Sequence, residues 1–268
     1  MITRKPVVAG QFYPESKPKL KTALSDITRG NLEKRKVFGA VIPHAGYIYS
    51  GAVAGEVYSR MLETEIFVIL GPNHTGSGKD FAVYPGGEWI TPIGSVKVDT
   101  ELASYLSENS RVYEKDTRAH DFEHSIEVQL PFLQHLMEDF SILPICIGNS
   151  NFEDLAKAGS ELAYALQYAK REATIIASSD MTHYEPQNIA KAKDMEAIAR
   201  MQEMDVKGLA DKVKSMNISM CGVAPVIIML TATGILGARK GELIEYKTSG
   251  DVSGDYFSVV GYAGMIFT

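Results

Sequence analysis

The sequence is poor in several features that would assign it quickly. Its 268 residues include two cysteines, Cys146 and Cys221, and one tryptophan, Trp89. Two thiols cannot build a disulfide framework, and without an export signal they are expected to stay reduced. No apolar run reaches the roughly 20 residues that span a bilayer. The longest, Val223 to Ala238, is interrupted by Pro225 and Gly234 and reads as a buried helix. The opening Met-Ile-Thr-Arg-Lys-Pro lacks the apolar core and cleavage site of a signal peptide. Basic charge is not in excess: the formal net charge is -6 and the pI about 5.6, which favours solubility and gives no general attraction to nucleic acid or anionic membranes. There is no fixed-period repeat, low-complexity tract or long Pro/Gly/Ser linker. These absences predict a cytoplasmic chain with no nucleic-acid or membrane partner, folded as one domain over residues 1–268.

What is present is ordinary globular composition, 45% hydrophobic and 22% charged. Short β-branched runs alternate with stretches of helical period, which predicts an α/β fold with a central sheet flanked by helices. The predicted buried strands are Val37 to Pro43, Ile66 to Leu70, Ser141 to Ile147 and Thr174 to Ser178. The predicted helices are Ala52 to Met61, Thr100 to Glu108, Ile126 to Met137 and Phe152 to Lys170, with Asp99 and Asn151 as N-caps. Pro186 to Ser215 reads as two helices split near Asp205. Leu243 to Thr248 and Tyr256 to Phe267 read as a closing antiparallel pair joined by residues 249–254, which makes the sheet mixed.

Two strands end alike, in Pro43-His44-Ala45-Gly46-Tyr47 and Gly71-Pro72-Asn73-His74. A third runs into Ser179-Asp180-Met181-Thr182-His183. The crevice beyond the carboxyl ends of strands is the usual ligand site of open α/β sheets, and imidazole is both a common metal ligand and a proton carrier near neutral pH. The repeated placement favours a functional pocket over turn-capping histidines. Asp180 and His183 fit either metal ligation, a proton-transfer pair, or a helix cap with a surface histidine. Cys221, at the apparent start of the apolar helix, is expected to have a lowered thiolate pKa suited to metal binding or nucleophilic attack; Cys146, inside an apolar run, reads as a buried small hydrophobe. His120, Asp121, Glu123, His124 and Glu127 form a dense polar cluster, in which His124 is a candidate substrate contact and His124 and Glu127 could share a helical face.

Taken in order, Ala9-Gly10-Gln11-Phe12-Tyr13-Pro14, the Pro-His-Ala-Gly-Tyr run ending at Tyr47, Gly71-Pro72-Asn73-His74, Glu123-His124-Ser125-Ile126-Glu127, Ser178-Ser179-Asp180 with His183, and Cys221-Gly222 resemble the Memo family, the group that includes AmmeMemoRadiSam system protein B. The resemblance covers nearly the whole chain. It implies a fold related to the class III (LigB-like) extradiol dioxygenases, in which two histidines and a glutamate hold iron(II) and a further histidine is the acid/base. On that resemblance, His44 and His74 take the paired-histidine positions, His183 the acid/base position, and Cys221 the third ligand position in place of a carboxylate. Iron(II) or copper is the implied cofactor. A thiolate is softer than a carboxylate and itself oxidisable, so catechol cleavage does not follow from the likeness. Memo proteins of animals are also linked to cell motility and phosphotyrosine peptides.

The leading expectation is therefore a metal-binding redox or oxygenase-type protein acting on an unknown small molecule or peptide. In it His44, His74 and Cys221 are ligands, Asp180 a support and His183 a proton carrier. A second class is a non-catalytic binding module that holds a peptide or small anionic ligand in the same pocket, with Tyr47, a candidate substrate contact like His124, lining the cleft beside Tyr49 and Trp89. A third is a cysteine hydrolase with Cys221 as nucleophile and His183–Asp180 as base; no nucleophile-elbow signature supports it.

Overall fold

The strands of the computed structural model, which describes residues 2–268, are β1 (Thr3–Arg4), β2 (Gly39–Ile42), β3 (Ile66–Pro72), β4 (Phe81–Val83), β5 (Glu88–Ile90), β6 (Ser95–Lys97), β7 (Glu114–Lys115), β8 (Ser141–Ile147), β9 (Ala173–Ser178), β10 (His183–Glu185), β11 (Gly241–Thr248) and β12 (Val259–Phe267). The helices are α1 (Lys17–Ile27), α2 (Tyr47–Tyr58), α3 (Thr100–Asn109), α4 (Leu130–Leu136), α5 (Phe152–Ala169), α6 (Gln187–Gln202), α7 (Val206–Ser215), α8 (Val223–Leu236) and the single turn α9 (Gly250–Ser253).

The main sheet runs β10-β12-β2-β9-β3-β8-β4-β7, with β11 also paired to β12. Its centre, β2-β9-β3-β8, is parallel; β12 is antiparallel to β2, β10 and β11, and β4 is antiparallel to β8. Parallel strands are covered on both faces and so read as continuous apolar runs, as every residue of β2 and β3 is buried. The pleat sorts β3 between two cores. Phe67 and Ile69 join Leu24, Val57, Tyr58 and Phe132 of α1, α2 and α4, whereas Val68 and Leu70 join Leu155, Leu162, Ile227 and Ile228 of α5 and α8. Each such side chain contributes roughly 1.5–3 kcal/mol by burial. The result is a single-domain α/β fold, a mixed sheet between helical layers.

Most expected elements form. Ser141–Ile147 is a strand over its full expected length. Asp99 caps α3 by accepting from Leu102 N–H, Asn151 caps α5 by accepting from Glu153 and Asp154 N–H, and Asp205 separates α6 from α7 by capping the latter. The expected helix Ile126 to Met137 is instead a 3-10 turn at Glu127–Gln129 followed by α4. Pro131, which has no N–H to donate, suits the first turn of α4, and Glu127 is held by groups of the N-terminal arm. His124 and Glu127 consequently share no helical face. The short edge strands, the small β1-β5-β6 sheet and α1, with only Leu20 and Leu24 buried, carry too little period to be read from sequence. No helix among the described residues is long and apolar enough to cross a membrane.

Candidate metal centre

His44, His74 and Asp180 each lie two residues beyond the last residue of a strand, β2, β3 and β9 respectively. These strands are neighbours and parallel, so their carboxyl ends deliver the three side chains to one edge of the sheet. Cys221 comes from another layer, immediately before Gly222, the N-cap of α8. The ligand atoms of His44, His74 and Cys221 all lie within 4.8 Å of one another, and Cys221 Sγ is 3.3 Å from His44 Nε2. Asp180 bridges the strand-end and helix-start elements: its Oδ1 accepts from His44 N–H at 2.8 Å and its own N–H donates to Cys221 Sγ at 3.3 Å. Gly222 makes this approach feasible, because a Cβ there would stand 2.4 Å from both Ser178 O and Ser179 Cβ.

His74 is fixed by Glu123. The Glu123 Oε1 accepts from His74 Nδ1–H at 2.9 Å and from the backbone N–H groups of His124 and Ser125, while Oε2 accepts from His74 N–H at 2.6 Å. With the proton on Nδ1, His74 Nε2 keeps its lone pair for a ligand. Burial alone would raise the Glu123 carboxyl, but the hydrogen bond and charge of His74 and the Ser125 N–H outweigh it and hold it down to about 2. Burial likewise pulls His74 down, and Glu123 outweighs it so that the net shift is upward. His74, Glu123 and His124 also form a compact donor cluster, yet the carboxylate of Glu123 already accepts these four N–H groups and acts as an organiser. His124 stacks on His74 at 4.9 Å and 20° and meets His44 edge-on at 5.5 Å. His44 is pushed well below the usual imidazole range by burial and by the neighbouring histidines, which keeps it a neutral donor.

The loop carrying Glu123 and His124 is clamped by the N-terminal arm. Buried Arg4 pairs with buried Glu127 at 2.6 Å, donates from Nε to His120 O at 2.9 Å and from Nη2 to Glu123 O at 2.5 Å, and lies 4.2 Å over the Trp89 ring. Glu127 also accepts from Val7 N–H, Val8 N–H and Tyr13 Oη–H. The arm then places Phe12 against the His124 ring, with centroids 4.8 Å apart.

A family model described as Memo-like protein matches residues 4–266. The chain belongs to the Memo-like family. It is 44% identical over 265 residues to a MEMO1 family protein of Methanosarcina barkeri, covering 98% of this chain and 99% of that protein. It is 43% identical over 270 residues to a MEMO1 family protein of Aquifex aeolicus, covering all of both chains. Among solved structures it resembles an uncharacterized protein of Escherichia coli with a TM-score of 0.54, 12% identity, and coverage of 86% of this chain and 100% of that one. That likeness concerns the fold alone.

Within this Memo-like chain the remaining expected residues fall differently. His183, at the start of β10, donates from Nδ1–H to Ser219 O at 3.0 Å, leaving Nε2 free. Tyr47 belongs to α2: its ring meets Tyr13 and Phe132, its hydroxyl donates to Val128 O at 2.7 Å, and it borders a groove of about 540 Å³ that no histidine lines. Trp89 lines no cleft, being fully buried on the small sheet beneath Arg4. Tyr49 is partly exposed on α2. Both cysteines are free thiols, and Cys146 is buried as expected. The expected lowering of the Cys221 thiol is reversed. Burial, and then the Asp180 carboxylate, push it up, overriding its place beside a helix start.

Sequence reasoning missed the role of Glu123, although its motif was visible, and missed Arg4 entirely. A basic residue in a polar N-terminal stretch carries no local sign of a buried partner 123 positions away.

Proposed function

We propose that this Memo-like protein binds an iron or copper ion through His44, His74 and Cys221 and performs redox or oxygenase-type chemistry on a small-molecule substrate. The reading rests on one observation: two imidazole nitrogens and one sulfur, delivered by three separate segments, lie within 4.8 Å of one another, with His44 buried, Cys221 half-buried and His74 exposed. The donor set fits such an ion. Tetrahedral metal bonds of about 2.0–2.3 Å put ligand atoms roughly 3.5 Å apart, and the Cys221 Sγ to His44 Nε2 spacing of 3.3 Å matches this. Two imidazoles and a thiolate suit a borderline or soft transition metal far better than calcium or magnesium.

A bound ion would supply one-electron chemistry and a positive charge on which a substrate oxygen could be polarised. The chain's own residues do the rest. His183, with Nδ1–H tied to Ser219 O, presents Nε2 as a proton acceptor. Asp180 holds the His44 backbone and donates an N–H to the sulfur, a contact that would stabilise Cys221 as the thiolate a metal ligand has to be. His124, half-buried, packs its ring against both histidines and is itself covered by Phe12.

The test is iron and copper content after anaerobic purification of wild type, His44→Ala, His74→Ala and Cys221→Ser. Each variant is expected to lose more affinity than the roughly 10–100-fold that follows removal of an outer hydrogen-bond partner of a ligand. Equal occupancy in all four proteins refutes the proposal.

A further inference from the structure

The ring of His44 makes its second hydrogen bond inside the protein, to a buried chain of polar groups whose donors and acceptors can be counted. Pro43 O can only accept, and Gln129 Nε2 lies 3.0 Å from it, which orients the Gln129 amide. The other Nε2 hydrogen then donates to Ser178 Oγ at 2.8 Å, and Gln129 Oε1 accepts from Tyr58 Oη–H at 2.9 Å. The single hydroxyl proton of Ser178 goes to Ser125 O at 2.7 Å, another group that can only accept. Ser178 Oγ therefore has nothing left to donate, and it faces His44 Nδ1 at 3.0 Å. The hydrogen in that contact must come from the imidazole.

We propose that Ser178 and Gln129 are positioning residues that lock His44 into the tautomer with its proton on Nδ1, so that Nε2 turns its lone pair toward Cys221. Ser178, Gln129 and Ser125 are fully buried, and His44 is 2% exposed, so water cannot readily take over these contacts. Asp180 fixes the backbone of the same residue by accepting from its N–H, and the ring is held by Ser178. His74 reaches the same tautomer through a carboxylate and His183 through a carbonyl. His44 reaches it through a neutral serine, whose polarity depends on Gln129 and not on charge. The use of that lone pair rests on the metal reading; the tautomer does not.

The experiment is long-range ¹H–¹⁵N spectroscopy of the full chain labelled at histidine, chelator-treated, at about pH 8, where an unperturbed imidazole is neutral, followed by titration with diamagnetic Zn²⁺. Wild-type His44 should show a protonated Nδ1 and an unprotonated Nε2. Ser178→Ala should populate the opposite tautomer and weaken zinc binding by about 10–100-fold. Gln129→Met should give an intermediate mixture, because the Ser178 hydroxyl regains rotational freedom, and Ser178→Thr should restore the wild-type pattern. A wild-type His44 carrying its proton on Nε2 overturns the proposal without any variant having to fold, as does an unchanged tautomer in folded Ser178→Ala. The expected wild-type tautomer with no response of His44 Nε2 to zinc supports the relay and counts against the metal reading alone.

Discussion

The clamp between Arg4 and Glu127 gives a quantitative test of how the N-terminal arm holds the site loop. Replacing Arg4 with methionine keeps an apolar side chain of similar length over Trp89 but removes the cation and its donors. The Glu127 carboxylate, with a fully buried side chain, then retains only Val7, Val8 and Tyr13 as partners, and the carbonyls of His120 and Glu123 lose theirs. Breaking one side of a buried ion pair costs about 3–5 kcal/mol, because a desolvated charge is left behind. With a urea m-value of about 3 kcal/mol/M, the upper end for small proteins, the unfolding midpoint should fall by roughly 1–2 M. Trp89 is the only tryptophan and lies directly under Arg4, so its fluorescence reports the clamp while far-ultraviolet circular dichroism reports the whole fold. The double variant Arg4→Met with Glu127→Gln should recover about 0.5–3 kcal/mol relative to the sum of the single losses, since neither charge is then stranded. A loss below about 1 kcal/mol in Arg4→Met, or strict additivity in the double variant, would show that the pair does not hold the arm and would refute the argument.

His120 is fully buried, and burial, only partly offset by its hydrogen bond to Ala82 O, lowers it to about 4. Between pH 6.5 and 4 the unfolded chain binds a proton there that the folded chain does not, so stability drops as the pH is lowered across that window, by about 3 kcal/mol. In parallel urea titrations His120→Gln should flatten that segment of the curve, and an unchanged slope would contradict the assignment. Gly222→Ala presses a methyl against Ser178 O and Ser179 Cβ. It should destabilise by about 1–3 kcal/mol, as overpacking does, and weaken zinc binding by displacing Cys221. Thermal denaturation and zinc titration both at wild-type values would mean the loop yields freely.

The parts of the site legible in sequence were those written in local punctuation. The runs ending at Pro43-His44 and Pro72-Asn73-His74 could be recognised as strands stopped by proline and glycine, and the parallel order of β2, β9 and β3 brings their ends together without further instruction. Asp99 and Asn151 were equally readable, because a cap acts within three residues. What could not be read depends on desolvation and on distant neighbours. A helix start would lower the Cys221 thiol in isolation, but burial beside Asp180 decides its direction. Trp89 and Tyr47 resemble binding aromatics in sequence, and only packing against Arg4 and Phe132 reveals them as core. Glu123 and Glu127 look like a charged helical turn until their partners, His74 and Arg4, arrive from other segments.

The origin of Cys221 outside the sheet has a chemical consequence. The two imidazoles hang from β2 and β3 with their rings oriented by Ser178 and Glu123, while Cys221 meets the strand ends through the N–H of Asp180, which also holds the His44 backbone. The third donor rides on the approach to α8. A change at that position would therefore alter the hardness and charge of the side-chain set while the ring contacts of both histidines, to Ser178 and Glu123, stayed in place. On this scaffold the side-chain chemistry offered at the strand ends can change at one residue while the architecture stays as it is.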